Sequence, residues 1–136
     1  MIDIRPAADP QDIRTRLIDI LMTHAQDNGT PFVMQDWGFE AWDGDVYLGG
    51  VFAKAGKEWL YVELLAVAPE ARGRGVGKQL MQQVEDKARD MNRTGIFLDT
   101  FAFQAPAFYK TLGYEEFGKI DAYMDGHPRH FLCKQL

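Results

Sequence analysis

The chain has 136 residues, 46% of them apolar and 26% charged, with a formal net charge of −5. This size suits one domain with a single hydrophobic core, and the composition is that of a globular protein. The negative charge argues against general nucleic-acid binding, which depends on a basic surface. No apolar stretch reaches the roughly 18 residues that a membrane span requires, so we expect no membrane association.

The cysteine count and the N-terminus both bear on cellular location. Cys133 is the only cysteine, which excludes an internal disulfide and agrees with a reducing compartment. Residues 1–5 lack the basic-then-apolar layout of a signal peptide. We therefore expect a cytoplasmic protein.

A short strand and a long helix are predicted first. Ile2 and Ile4 alternate with polar residues, which predicts a strand ahead of Pro6. Asp9 followed by Pro10 is typical of a helix start, with the aspartate as N-cap and proline at the first helical position. The helix should end near residues 28–29. Its apolar face consists of Ile13, Leu17, Ile20 and Leu21.

From Trp37 the apolar period changes to two, which indicates strands. Trp37, Phe39 and Ala41 alternate, and the Asp43-Gly44 pair is a strong hairpin signal. The return strand is followed by a second turn at residues 55–57. The next strand, residues 59–67, has little polar content, as expected of a central strand covered on both faces.

A glycine-rich segment then precedes an amphipathic helix. Its sequence is Arg72-Gly73-Arg74-Gly75-Val76-Gly77-Lys78. Glycines let a main chain approach a phosphate with its N–H groups exposed, and the helix that follows adds the positive end of its dipole. The spacing fits neither a nucleotide P-loop nor a dinucleotide fingerprint, because residues required by each motif are missing. The alternative is a glycine-rich helix-start turn with two solvated arginines.

The remaining elements complete a mixed α/β chain. Apolar spacing predicts a helix from Val76 to about residue 91 and a buried strand at residues 96–98, which with the central strand form a βαβ unit and a parallel pair. A third helix is predicted over residues 105–112. Strands at residues 114–117 and 130–136 should close the fold, joined by a polar loop.

Two motifs together resemble the GCN5-related N-acetyltransferase (GNAT) family. The first is the Arg-x-x-Gly-x-Gly pattern that begins at Arg72, and the second is Tyr-x-x-Leu-Gly-Tyr, which begins at Tyr109. The resemblance implies one acetyltransferase domain over residues 1–136. It also implies an α/β fold with a central, mostly antiparallel, splayed sheet flanked by helices on both faces.

The same resemblance implies acetyl-coenzyme A as co-substrate. The pantetheine arm should pair with main-chain groups of Leu65, Ala66 and Val67. The pyrophosphate should take main-chain N–H groups from the glycine-rich segment, with cationic side chains in support; that set is Arg72, Gly73, Arg74, Gly75, Val76, Gly77 and Lys78. Many family members have an asparagine that meets the cofactor near the start of the third helix, where this chain has Gln104.

Two residues are expected to carry the chemistry of acetyl transfer. An amine with a pKa of about 10.4 is mostly protonated at pH 7, so a base or a desolvating site must make it neutral. Glu63 is the only carboxylate in the apolar central strand and is the candidate base; the alternative is a structural pair with a cation or hydroxyl. By resemblance, Tyr109 protonates the departing thiolate; alternatively it only packs. Phe108 and Leu112 look like the core-facing pair of that helix, which would leave Tyr109 on another face.

The sequence leaves the acceptor and the assembly open. The leading hypothesis is N-acetylation of a primary amine on a small molecule or peptide, by direct attack in a ternary complex. A non-catalytic module that binds or senses coenzyme A is one alternative, and transfer of a longer acyl chain is another. No metal is expected, since Asp125, His127 and His130 lack metal-ligand spacing. A homodimer is possible.

Overall fold

A computed structural model describes residues 1–101 and 105–136 of the chain. Within those residues it contains three α-helices, six strands and a short 3₁₀ turn (Pro69–Ala71). The helices are α1 (Pro10–Asp27), α2 (Val76–Asp90) and α3 (Pro106–Thr111). The strands are β1 (Gln35–Asp43), β2 (Val46–Ala55), β3 (Trp59–Val67), β4 (Gly95–Phe101), β5 (Glu115–Met124) and β6 (His127–Gln135).

The chain divides into two compact units, Met1–Val33 and Met34–Leu136, so the single-domain expectation stays a prediction. The first unit contains α1, whose predicted start is confirmed because the Asp9 side chain accepts a hydrogen bond from the Gln11 N–H at 3.0 Å. The helix ends at Asp27 with Asn28 as its C-cap, close to the predicted end at residues 28–29. The strand predicted for residues 2–5 is wrong, since these residues do not pair with any described strand.

The second unit contains one six-stranded sheet in the order β1-β2-β3-β4-β6-β5. Only the β3–β4 pair is parallel among these neighbours, and α2 connects its two strands as the βαβ prediction requires. The sheet is therefore mixed and mostly antiparallel, as predicted.

Helix α2 packs its apolar stripe on β1, β2 and β3. Met81 and Val84 are fully buried and belong to the same hydrophobic core as Leu60 and Ile96. At roughly 1.5 to 3 kcal/mol for each large side chain removed from water, this helix–sheet contact is a principal source of stability for the unit.

A buried ion pair connects α2 to strand β6. Glu85 is 3% exposed, and its carboxylate lies 2.5 Å from the Lys134 ammonium of β6. Lys134 also donates to the main-chain oxygen of Leu112, at the end of α3, at 2.7 Å. One lysine therefore connects two helices and a strand.

The polar loop predicted before the last strand is wrong. β5 and β6 are longer than expected and pair as a hairpin with its turn at Asp125 and Gly126. Two register shifts and a left-handed residue, Ala122, interrupt the pairing and account for the weak alternation in the sequence. None of the helices in the described residues is both long and apolar enough to cross a bilayer.

Candidate active site

The central feature of the site is a fork between β3 and β4. The two strands pair only from Trp59 to Val62 on β3, although β3 continues to Val67 and β4 to Phe101. Beyond Val62, β3 stays paired with β2 and β4 with β6, so the strands separate. Their facing edges then have no strand between them. Leu65, Ala66 and Val67, the residues predicted by family resemblance to pair with the pantetheine arm, lie along the open edge of β3.

Glu63 lies where the fork opens. Val62 pairs with Ala53 and Leu64 pairs with Phe52, so Glu63 is the extra residue of a β-bulge. The bulge shifts the alternation of β3: Val62 is buried in the core, whereas Leu64 is 63% exposed.

The Glu63 side chain is exposed, and it makes no hydrogen bond or ion pair with another side chain among residues 1–101 and 105–136. A structural partner for Glu63 is therefore not found in the described part of the chain.

A second carboxylate, Asp99 of β4, lies across the fork and accepts hydrogen bonds on both oxygens. The Tyr61 hydroxyl donates to Asp99 Oδ1 at 2.7 Å, and Arg129 of β6 donates to Oδ2 through Nε at 2.7 Å. Burial, followed by this hydrogen bond and the charge of Asp99, raises the pKa of Tyr61 to about 12. Arg129 also donates to the hydroxyl of Tyr123 on β5 at 3.0 Å. This network, which connects four strands, was missed by the sequence analysis.

The glycine-rich segment presents a continuous row of unpaired N–H groups. The Arg72 N–H donates to the Pro69 oxygen, and the next main-chain bond belongs to the Gln79 N–H, which donates to the Gly75 oxygen. The six amides between them, in residues 73–78, have no acceptor in the described residues. Because they open helix α2, the helix dipole adds to their positive potential. The segment thus fits an anion such as a diphosphate.

The three glycines of this segment have two different roles. Gly73 (φ +80°) and Gly75 (φ +77°) adopt left-handed conformations that other residues rarely adopt, and a Cβ on either would meet no atom within 4 Å. Gly77 lies inside α2, where a Cβ would come within 3.3 Å of the Phe108 ring. The first two glycines shape the loop, and the third lets α3 approach α2.

The cationic side chains of the segment differ in whether they form an ion pair. Arg74 forms an exposed ion pair with Asp43 of the β1–β2 turn, at 3.0 Å. The side chains of Arg72 and Lys78 make no ion pair within the described residues. Arg74 therefore contributes its main-chain N–H to the row, and its side chain lies in a solvent-exposed ion pair.

Tyr109 of α3 is buried, with 7% of its surface exposed, so the expectation that it faces away from the core is wrong. Its ring packs edge-on against Phe108 and Tyr114, with centroid separations of 5.1 and 5.9 Å. Burial, together with the charge of Asp99, raises its pKa to about 12. Its hydroxyl makes no hydrogen bond with a described residue. Gln104, the remaining predicted cofactor contact, lies outside the described residues.

The acidic and histidine side chains do not gather into a metal site. Within the described residues, no three of the His, Cys, Asp and Glu side chains are grouped to hold an ion. His130 instead pairs with Glu116 of the neighbouring strand, and this hydrogen bond lowers the pKa of the Glu116 carboxyl.

Comparisons with known proteins agree with this geometry. The sequence model of the acetyltransferase (GNAT) family matches residues 3–114. Among curated proteins, the chain is 38% identical over 89 residues to Blasticidin-S acetyltransferase of Streptomyces morookaense, a match that covers 65% of each chain. It is 34% identical over 89 residues to Streptothricin acetyltransferase of Streptomyces lavendulae, covering 62% of this chain and 46% of the relative. The chain thus spans 65% of the length of the first relative and about half of the length of the second.

The fold has close counterparts among solved structures. An acetyltransferase from Bacillus cereus superimposes with a TM-score of 0.82 at 29% identity, covering 100% of this chain and 97% of its own. The family match extends over most of the chain and includes the fork, the row of free amides and Tyr109. The chain belongs to the GNAT family of acetyltransferases.

Proposed function

We propose that the protein transfers the acetyl group of acetyl-CoA to a primary amine, by direct attack within a ternary complex. The observation that carries the proposal is the row of six unpaired amides in residues 73–78, which starts a few residues beyond the open edge of β3. Leu65, Ala66 and Val67 would pair with the amide groups of the pantetheine arm, while the row of N–H groups binds the diphosphate. The thioester would then lie near the fork.

Glu63 is the proposed base. Bond formation between the amine nitrogen and the thioester carbonyl carbon requires loss of a proton from nitrogen, directly or through water, to a nearby acceptor. Asp99 already accepts hydrogen bonds on both oxygens, whereas the Glu63 carboxylate has no such partner among the described residues. Glu63 is therefore the carboxylate at the fork that no side chain of the described residues holds.

Tyr109 is the proposed acid. As the carbon–sulfur bond breaks, the sulfur takes the phenolic proton and leaves as the free thiol; solvent then returns a proton to Tyr109 and removes one from Glu63. A phenol with a pKa of about 12 is fully protonated at neutral pH. Its unbonded hydroxyl is free to turn toward the sulfur. The net products are an acetamide and coenzyme A.

The acceptor is proposed to be a small molecule. The support is the likeness to acetyltransferases named for blasticidin S and streptothricin. A peptide acceptor and a longer acyl donor are the alternatives. The net charge of −5 favours an acceptor that carries positive charge before it reacts.

The test is release of free coenzyme A from acetyl-CoA in the presence of blasticidin S, streptothricin, polyamines, amino acids, aminoglycosides and basic peptides. We expect turnover with at least one acceptor, and an acetamide product by mass spectrometry. The control is Gly75→Glu, which places a carboxylate among the free amides. Tight binding of acetyl-CoA with no turnover on any acceptor would instead support a sensing module.

A further inference from the structure

A broad depression lies on the sheet face opposite α2, across β1, β2 and β3. Its volume is about 910 Å³, within the size range of sites for small ligands. Residues of β2 identify the face, because Val51 and Ala53 are buried in the core while Phe52 points the other way. Its floor contains Gly38, Gly49 and Gly50, and its walls include Tyr47, Phe52 and Leu64.

The glycines of the floor are not equivalent. A Cβ on Gly49 would lie 2.3 Å from the main-chain oxygen of Ala66, so the fold itself requires glycine there. A Cβ on Gly38 would meet only the Val51 oxygen, at 3.7 Å, which is an ordinary contact. Gly38 also has no left-handed φ. Glycine weakens a strand, and one that the backbone does not need is often found where a ligand or another backbone approaches closely.

The depression is continuous with the proposed active site. Its wall residue Leu64 directly follows Glu63, and Ala66 belongs both to the lining and to the segment proposed to bind pantetheine. Glu40 lies at the opposite rim. Glu40 of β1 is the cross-strand neighbour of Gly50 on β2, and Gly50 is in turn the neighbour of Ala66 on β3. Two strand spacings put Glu40 roughly 10 Å from Ala66.

Glu40 gives the depression one charged end. Its carboxylate accepts a hydrogen bond from the Trp42 indole at 3.2 Å and makes no ion pair within the described residues. The rest of the lining is mainly apolar, with the Phe52 and Tyr47 side chains as walls. A flat apolar group fits the floor, and a cation fits the rim.

We propose that this depression binds the non-reacting part of the acceptor, which is an aryl-bearing amine with a second cationic group on the side of the aryl group away from the reacting nitrogen, within reach of Glu40. The inference rests on the proposed function, because it extends the same site. Gly38 and Glu40 are specificity determinants in it, and neither takes part in the chemistry.

Three amines test the two ends separately: methylamine, benzylamine and 1,4-bis(aminomethyl)benzene. The wild type should use benzylamine better than methylamine, and the diamine better still. Gly38→Val fills the floor and should lower kcat/KM for benzylamine by about tenfold or more, with methylamine changed less than about twofold. Glu40→Gln should remove an advantage of about fivefold that the diamine has over benzylamine.

Gly118→Val is the matched control. It replaces a strand glycine whose Cβ would meet only Phe131, at 3.8 Å, outside the depression. It should leave the order of the three amines unchanged. Retained methylamine turnover reports folding in every variant, and Gly38→Ala replaces Gly38→Val if the valine variant does not fold.

The outcomes separate this inference from the proposed function. Absence of turnover by the wild type with all three amines and with the wider acceptor panel would overturn the proposed function. Turnover by the wild type with no preference for benzylamine, or a Gly38→Val variant that keeps the preference, would overturn the acceptor subsite alone.

Discussion

Replacing Tyr109 with phenylalanine tests the proposed proton donor. The substitution removes one oxygen that makes no hydrogen bond within the described residues and keeps the buried ring between Phe108 and Tyr114. The free energy of unfolding and the affinity for acetyl-CoA should therefore change little. Loss of a general acid lowers turnover by about 100- to 10,000-fold. We expect kcat to fall within that range and the acetyl-CoA Kd to stay within about twofold.

The pH dependence of the wild type gives a second measure of the same group. An ordinary phenol with a pKa of 10 is half ionised at pH 10, whereas one with a pKa of about 12 is about 1% ionised there. Because the acid works only when protonated, raising the pH toward 10 should not reduce kcat through Tyr109. The assay is single-turnover release of coenzyme A between pH 6 and about 10.

Three results would count against this reasoning. A fall in kcat of less than about tenfold in Tyr109→Phe would remove the phenol from the acid role. A descending limb centred near pH 10 in the wild type but absent in the variant would show that burial does not raise this pKa. Equal losses in cofactor affinity and turnover would indicate that the hydroxyl has a structural role.

Three further substitutions test the base, the anion site and the buried ion pair. Glu63→Gln should lower kcat/KM by about 100-fold or more at pH 7, with the deficit shrinking as the pH nears the acceptor's own pKa and stability unchanged. Gly75→Glu should abolish acetyl-CoA binding by calorimetry, whereas Gly75→Ala, with the same backbone strain, should weaken it only modestly. Lys134→Ala leaves Glu85 buried and unpaired, so the midpoint of thermal unfolding should drop by about 10 to 15 °C. The double variant Glu85→Leu/Lys134→Met removes both charges and should recover most of that drop. An equal drop in the single and double variants would contradict this account.

Signals that depend on neighbouring residues were enough to predict much of the second unit. The spacing of Gly73, Gly75 and Gly77 after an apolar strand predicted a helix start with free amides, and the structure has one. The βαβ unit followed from element order, because a helix between two adjacent parallel strands has one favoured path. These features are local, so they can be seen in the sequence.

Features that depend on distant pairing could not be predicted. The Asp99 network needs β6 to lie beside β4, and nothing near Asp99 indicates that Arg129, 30 residues away, is its partner. The bulge at Glu63 depends on the register with β2. Tyr109 was placed on the wrong face because α3 has only six residues, too few for periodicity to identify its buried side.

The two carboxylates at the fork should respond differently to loss of charge. Asp99→Asn leaves Arg129 without its counter-ion, and such a charged hydrogen bond contributes about 1.5 to 3 kcal/mol, so stability should fall by about that amount. Arg129 and Tyr61 already donate to both Asp99 oxygens, so Asp99→Asn should not alter the shape of the pH profile.

Glu63→Gln should differ in both respects, because the Glu63 carboxylate has no partner within the described residues whose loss would destabilise the strand. It should leave stability unchanged and alter the pH profile of kcat/KM. The comparison is made by thermal unfolding and by pH profiles of both variants. If Asp99→Asn changes the profile and Glu63→Gln does not, Asp99 is the base, and the open edge of β3 serves only to bind the cofactor.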